Sequence, residues 1–187
     1  MEEIGQKPRI LYRRFRKEIV MLPTEYNIFG HKIYVMKPNI HDFLLNYDHQ
    51  HDYDAKHQMV NFSFPITFLF EEANRFLNMK ITNMMEYPFK PPKIIFKDKN
   101  LIHHYCSNLF IRYKKYLKRT RNCCLVCSSV LSGSNWTCIT SMNDVFYEML
   151  SNFIDIRRAI EMLHMEKIMG CYITGDTYLT GYMLSFI

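Results

Sequence analysis

The residue types best suited to chemistry gather in two short stretches late in the chain. "LIHHYCSN" places His103, His104, Cys106 and Asn108 within one span, and "NCCLVCSS" does the same for Asn122, Cys123, Cys124 and Cys127. Six cysteines in all, the others being Cys138 and Cys171, sit in a chain whose opening "MEEIGQKPRI" is too polar for a signal peptide. In an intracellular setting such cysteines serve as thiols, metal ligands or nucleophiles rather than as disulfides. Two uses follow. A cysteine thiolate is intrinsically nucleophilic and is also a good leaving group, so one of these side chains could carry a covalent intermediate. Alternatively, Cys124 and Cys127 form a C-x-x-C pair that, with His104 and Cys106, supplies zinc-ligand types across a loop of finger length. Zinc at Cys127 would consume the thiolate that catalysis needs, so the two uses exclude each other there.

Composition frames these side chains. The chain has 187 residues, 48% hydrophobic and 22% charged, which is the balance of a globular protein and long enough for one domain with a real core. No stretch approaches a membrane span, which predicts a protein of the cytoplasm or nucleus that does not engage a membrane. Few Ala and Gly beside many Ile, Asn, Lys, Tyr and Phe suggest an AT-rich coding sequence, as in an AT-rich parasite or a large DNA virus. The net charge of +6 is concentrated in "PRILYRRFRK" and "RYKKYLKRTR". Such clusters suit an acidic protein surface or nucleic acid, and equally a solvated face. The second cluster, Arg112–Arg121, reads as an exposed loop that could recruit an acidic substrate or nucleic acid. With the C-x-x-C pair it also allows a zinc-stabilised nucleic-acid-binding module.

The elements that must position these groups follow from periodicity. Leu11, Phe15, Ile19 and Leu22 recur at helical spacing between Pro8 and Pro23, predicting a first helix whose other face carries Arg9, Arg13, Arg14, Arg16 and Lys17. Tyr26–Pro38 admits a short hairpin about Gly30. Strands are expected at Phe43–Tyr47, Met59–Phe64, Phe76–Ile81 and Lys93–Phe96, the third by strict alternation of Leu77, Met79 and Ile81 with polar residues. "DHQHDYDAKH", between the first two, reads as a solvated hairpin loop, with His and Asp of types that could also bind a metal. From Asn143 onward Val145, Met149 and Phe153 share a helical face, capped by Asn143 or Asp144. A second helix is expected over Ile156–Met169, ending at Gly170. The sum is α+β: an N-terminal helix, a four-stranded antiparallel meander and C-terminal helices.

One stretch does not fit any regular element. "EYPFKPPKIIF" sets Pro88 and Pro91-Pro92 around Phe89 and Lys90. Proline fixes φ and lacks an N–H donor, so this segment is a stiff extended elbow leading into the strand Lys93–Phe96. An elbow of this kind holds Phe89 and Lys90 outward.

The order of elements, with "YPFKPP" between the third and fourth strands, resembles the ubiquitin-conjugating enzymes. "VCSSVLSGSNWTCITSMNDVF" is similar to that family's Ile-Cys-Leu-Asp-Ile-Leu stretch followed by Trp-Ser-Pro and a helix. Val126, Cys127, Val130 and Leu131 fall in its register, and Trp136 and Thr137 fall on its Trp and Ser. Pro65 and Phe70 match the family's Gly-Pro and Tyr positions only loosely, with "EEAN" where the family has glycines. The likeness covers residues 8–153, within a single domain 1–187 whose residues 154–187 form a divergent helical C-terminal extension. Three departures stand out. His103, His104 and Asn108 take the place of a His-Pro-Asn motif, the basic stretch Arg112–Arg121 is inserted before the cysteine, and Cys138 replaces a proline.

The resemblance implies conjugation of ubiquitin or a ubiquitin-like protein. Cys127 takes the modifier from an activating enzyme as a thioester, and a substrate protein's amine then attacks, alone or through a ubiquitin ligase. It implies no cofactor. Cys124, followed by Leu125 as in the family's Cys-Leu pair, is the alternative nucleophile. Asn108 or Asn122 would donate to the oxyanion, a contribution of about 10²–10³ in rate. Ser129 falls where the family often carries an Asp. By position, Phe89, Lys90, Thr137, Cys138 and Ile139 form the ligase-binding patch, and Arg9, Arg13, Arg16 and Lys17 meet the activating enzyme. Trp136 is expected to pack beneath the cysteine. Inactive members of the family act as adaptors, and that reading keeps the fold while dropping the chemistry.

Overall fold

Alternation of apolar and polar side chains builds the sheet of this protein. The computed structural model describes residues 13–43, 63–82, 84–105 and 125–168. Among them, six strands form one antiparallel sheet whose spatial order follows the chain: β1 (Glu25–Ile28), β2 (His31–Met36), β3 (Phe64–Phe70), β4 (Arg75–Thr82), β5 (Lys93–Phe96) and β6 (Lys99–Asn100). The meander is therefore as expected in kind, but it has six strands rather than four. β4 and β5 lie where the sequence places them, with Leu77, Met79 and Ile81 of β4 turned to the core.

The differences have local causes. β1 and β2 are the hairpin about Gly30, closed by Phe29 at φ 53° and Gly30 at φ 88°, the two left-handed residues that a tight hairpin turn requires. The Phe29 ring receives the Arg158 guanidinium at 5.0 Å. A second two-residue turn, Lys97-Asp98, also left-handed at both positions, adds β6. Phe43 is not in a strand. Asn39 caps a helical turn there, its Oδ1 accepting from the His41 N–H at 2.9 Å and its carbonyl from the Phe43 N–H at 2.9 Å. Residues 44–47, and 48–57 with them, lie outside the described residues. Of the strand expected over Met59–Phe64, residues 59–62 lie outside the described residues; the described strand runs from Phe64 through Pro65 to Phe70. Proline is tolerated because β2 ends at Met36, opposite Thr67, so among the described residues Pro65 has a strand neighbour only on the β4 side.

Helix α1 (Arg13–Met21) buries Phe15 and Ile19 against the sheet, with Leu22 just beyond it. The Phe15 ring meets Phe64 edge-on at 5.8 Å and Tyr87 at 6.3 Å. Two short helices follow the sheet, α2 (Leu101–Tyr105) and α3 (Leu125–Ser128). Then α4 (Met142–Ile168) crosses the inner face of the sheet, with Phe146 on Phe68 at 5.3 Å and Phe153 on Phe96 at 5.9 Å. Every residue from Met149 to Ile156 is buried, which a helix with one covered face cannot achieve. Tyr105 of α2 lies on its other side, 3.4 Å from the Asn152 amide.

The two expected C-terminal helices are thus one. It runs through position 153 without a break, and Ile154, Ile156, Ala159 and Ile160 belong to the same core as the sheet. Its cap is Ser141, not Asn143 or Asp144. Ser141 Oγ accepts from the Asp144 N–H at 3.2 Å, and the Asp144 carboxylate accepts from the Ser141 N–H at 2.9 Å. Asn143 instead accepts the Tyr26 hydroxyl at 2.8 Å. No helix among the described residues is long and apolar enough to cross a membrane.

The packing sets a stability contrast. Phe15, at 0% exposure, lies between Phe64 and Tyr87, whereas Phe76 on the outer face of β4 is 57% exposed. Phe15→Ala is expected to cost about 3–5 kcal/mol by removing a fully buried ring. Phe76→Ala is expected to stay within about 0.5 kcal/mol of wild type. Urea unfolding of the two variants checks the difference.

Candidate functional site

The elbow is a tight turn rather than the extended segment that its prolines suggest, because its backbone closes on itself before Pro91. A 3₁₀ turn, Met84–Glu86, leads into Tyr87, whose bond to Pro88 is cis, and the Lys90 N–H closes the bend on the Glu86 carbonyl at 2.8 Å. Tyr87 and Pro92 are buried at its two ends, and between them Phe89 is 79% exposed. Lys90 is also exposed and pairs with Glu86 at 2.5 Å. Being on the surface, this pair contributes little to stability.

Trp136 holds the elbow from the other side. Its indole N–H donates to the Pro88 carbonyl at 2.7 Å, and its ring lies 5.9 Å from that of Tyr87. The tryptophan therefore sits against the elbow, where its single donor finds a carbonyl. The next residues form a turn in which the Thr140 N–H bonds the Thr137 carbonyl at 3.0 Å, leaving Thr137, Cys138 and Ile139 exposed, Ile139 at 87%. Arg14 of α1 fixes that turn, its guanidinium donating to the carbonyls of Cys138 and of Thr140, the latter at 3.2 Å. All five residues expected at the ligase-binding patch are thus on the surface, on two segments joined by Trp136.

Glu18 ties the same region together. One of its oxygens receives Arg14 Nε at 2.5 Å; the other accepts from the Tyr87 hydroxyl and from the Met142 N–H at 2.7 Å. Burial, and after it the hydrogen bond to Glu18, pushes the Tyr87 phenol well above its ordinary value, so it remains a donor. Arg13, Arg16 and Lys17 are exposed on the outer side of α1, where Arg16 donates to the His41 ring. Arg9 lies outside the described residues.

Cys127 is exposed on α3, a single helical turn anchored by buried Leu125. The chain leaving it is held from outside by two side chains. The Asn135 amide donates to the Cys127 carbonyl at 2.6 Å and to the Ser129 carbonyl at 3.1 Å, and the Glu148 carboxylate of α4 accepts from the Val130 N–H at 2.7 Å. Ser129 is buried, and its hydroxyl accepts from the Leu131 N–H at 3.1 Å, so it serves the turn rather than an incoming amine. Between the elbow and this turn lies an open groove of about 340 Å³, with Pro91, Pro92, Ile102 and Leu131 as its apolar lining and Lys90 and Lys93 among its polar residues. Cys127 is not among its lining residues.

His104 is buried on α2, its Nε2 2.9 Å from the Phe96 carbonyl and its ring 5.6 Å from that of Phe96. A carbonyl partner requires the proton on Nε2, so this nitrogen is committed as a donor. The described residues contain no group of three or more His, Cys, Asp or Glu that could hold a metal ion. Asn108, Asn122, Cys106, Cys123, Cys124 and Arg112–Arg121 lie outside the described residues. Sequence reasoning missed Glu18, Asn135 and Glu148. The Arg14–Glu18 spacing signals an ion pair, but nothing local to Glu18 announces Tyr87 or Met142.

Comparison of this chain with protein-family models, with curated proteins and with solved structures gave no match in any of the three.

The clamp on the elbow is directly testable. Trp136→Phe keeps a ring against Tyr87 but deletes the donor to Pro88. It is expected to cost about 1 kcal/mol in urea unfolding and to speed amide exchange at Phe89 and Lys90. Unchanged stability together with unchanged exchange would mean the elbow is held without the indole.

Proposed function

We propose that this chain is a divergent ubiquitin-conjugating-type transferase. The sulfur of Cys127 attacks the thioester carbonyl that joins ubiquitin, or a ubiquitin-like modifier, to its activating enzyme. The enzyme's thiol leaves, and the modifier is now held on Cys127. A substrate amine then attacks that carbonyl, forms the amide, gives up its proton and releases the Cys127 thiol. Cysteine suits both halves because the thiolate is nucleophilic and leaves readily.

One observation carries this reading: the elbow that most resembles the family is clamped by Trp136 to the loop following Cys127. That single contact joins exposed Phe89 to exposed Ile139, as a ligase-docking patch needs, and it lies one residue from the side chain that holds the Cys127 carbonyl. The architecture supports it as well. A first helix, an antiparallel meander and a long helix behind the sheet occur in the order that the resemblance implies. The exposed Arg13, Arg16 and Lys17 on α1 would meet the activating enzyme. Oxyanion donation is assigned to Asn108 or Asn122.

An adaptor that binds a ligase or ubiquitin without forming a thioester is favoured by one observation. Ser129 is buried and committed to its own turn, so it offers an incoming amine no base. The zinc reading gains nothing comparable, since His104 spends Nε2 on the Phe96 carbonyl within the core.

Loading separates these. With an activating enzyme and ATP, wild type is expected to form a reductant-sensitive adduct. Cys127→Ser is expected to abolish it, leaving at most a slow reductant-resistant oxyester, because a hydroxyl is a far weaker acid than a thiol. Cys124→Ser is expected to load normally; loss of loading in Cys124→Ser alone would move the nucleophile by three positions. A wild type that never loads yet still binds a ligase is the adaptor.

A further inference from the structure

We propose that the outer face of the sheet, turned away from α1 and α4, docks on the same face of a second copy of this chain across a two-fold axis. The proposal does not rest on the transferase reading. Strand register lays the face out in rows. Glu25, Tyr34, Leu69 and Phe76 stand opposite one another on β1 to β4, and Met36, Thr67 and Asn78 form the next row. The row after that sets Pro65, Lys80 and Ile95 side by side, with Lys93 one step beyond. Phe76 and Met36 are 57% and 49% exposed, because α1 and α4 pack on the opposite face. Large apolar side chains grouped on a flat open face, with charge around them, mark a contact surface.

Charge decides the occupant. Carboxylates gather at one end of the face, where Glu71 accepts from the Tyr34 hydroxyl at 3.0 Å. That bond and the charge of Glu71, with a smaller push from Glu25, raise the Tyr34 phenol, so both carboxylates flank one ring. Lysines gather at the other end, where Lys80 and Lys93 are exposed and have no carboxylate partner among the described residues. Lys32, beyond Tyr34 toward the hairpin turn, is the exception to this division. An acidic or a basic partner would meet like charge at one end, whereas a second copy turned end for end meets opposite charge at both. A two-fold axis lying across the face at the hydrogen-bonded Thr67–Asn78 pair makes that turn. It sets Glu25 and Glu71 of each copy over Lys80 and Lys93 of the other, and brings Phe76 and Met36 near the axis beside their own counterparts. These rows span roughly 500–600 Å² per copy, at the low end for a specific interface, so the dimer is a transient one of micromolar strength.

Sedimentation equilibrium of the full chain at low salt, from low to several hundred micromolar, tests this with charge-reversed variants. Wild type is expected to pass from monomer to dimer over that range. One variant carries Glu25→Lys with Glu71→Lys, the other Lys80→Glu with Lys93→Glu; all four side chains are exposed, so both variants are expected to keep the wild-type fold. Each is expected to remain monomeric alone, because its face now carries mainly one sign. An equimolar mixture of the two is expected to recover the dimer, since every contact is again between opposite charges. Phe76→Asp is expected to weaken wild-type association about tenfold or more. Phe89→Ala, on the elbow, is expected to leave it unchanged. A wild type that stays monomeric throughout, reversed variants that dimerise alone, or a mixture that fails to associate would overturn the proposal. So would a dimer that Phe89→Ala breaks and Phe76→Asp does not, which would place the contact at the elbow instead.

Discussion

A single carboxylate joins the three parts on which the candidate site depends. Glu18 leaves α1 and accepts from Arg14, from the Tyr87 hydroxyl at the base of the elbow, and from the Met142 N–H at the start of α4. The last of these is a helix N-terminal donor that has no intrahelical partner, and an anion there is favoured by the helix dipole as well. Bonds to a charged acceptor are stronger than neutral ones, and those to Glu18 are partly buried. Loss of the carboxylate would strand the Tyr87 and Met142 donors together, which is costlier than losing a pair at the surface.

From that junction the rest follows by short steps. Tyr87 is held by Glu18 and packs on Phe15 and Trp136, so the elbow has a fixed base. Trp136 grips the Pro88 carbonyl, and Phe89, the next residue of the turn, stands exposed. Arg14, held by Glu18, reaches the carbonyls of the turn that carries Ile139. Phe89 and Ile139 are thus presented by two irregular segments that the first helix makes rigid. Large exposed apolar side chains on a rigid frame are what a protein partner can use as anchors.

Much of this was legible in the sequence where a residue's own chemistry decides its conformation. The place of the elbow, β4, β5 and the apolar face of the long helix follow from prolines and from periods of 2 and 3.6, although the elbow closes as a turn and the helix is capped at Ser141. The β1–β2 hairpin was visible only as a turn about Gly30, since Phe29 is not a residue that ordinarily marks a left-handed position. Phe43 and Pro65 misled for opposite reasons. An apolar run of a few residues fits helix or strand equally, and a proline that would end an inner strand is accepted where the neighbouring strand has already stopped. The site's polar scaffold was the least legible part. Glu18 acts across 69 and 124 residues of sequence, and Glu148 across 18, distances over which no local pattern speaks.

The claim that Glu18 and the elbow form one unit is tested most directly by a double-mutant cycle between Glu18→Ala and Tyr87→Phe, read by urea unfolding. Residues that share a hydrogen bond give an interaction energy, whereas independent sites add within about 0.3–0.5 kcal/mol. The account predicts a coupling of about 1 kcal/mol or more, with the double variant less destabilised than the sum of the singles. Additive losses would contradict it, and the elbow would then owe its position to the apolar contacts of Tyr87 alone.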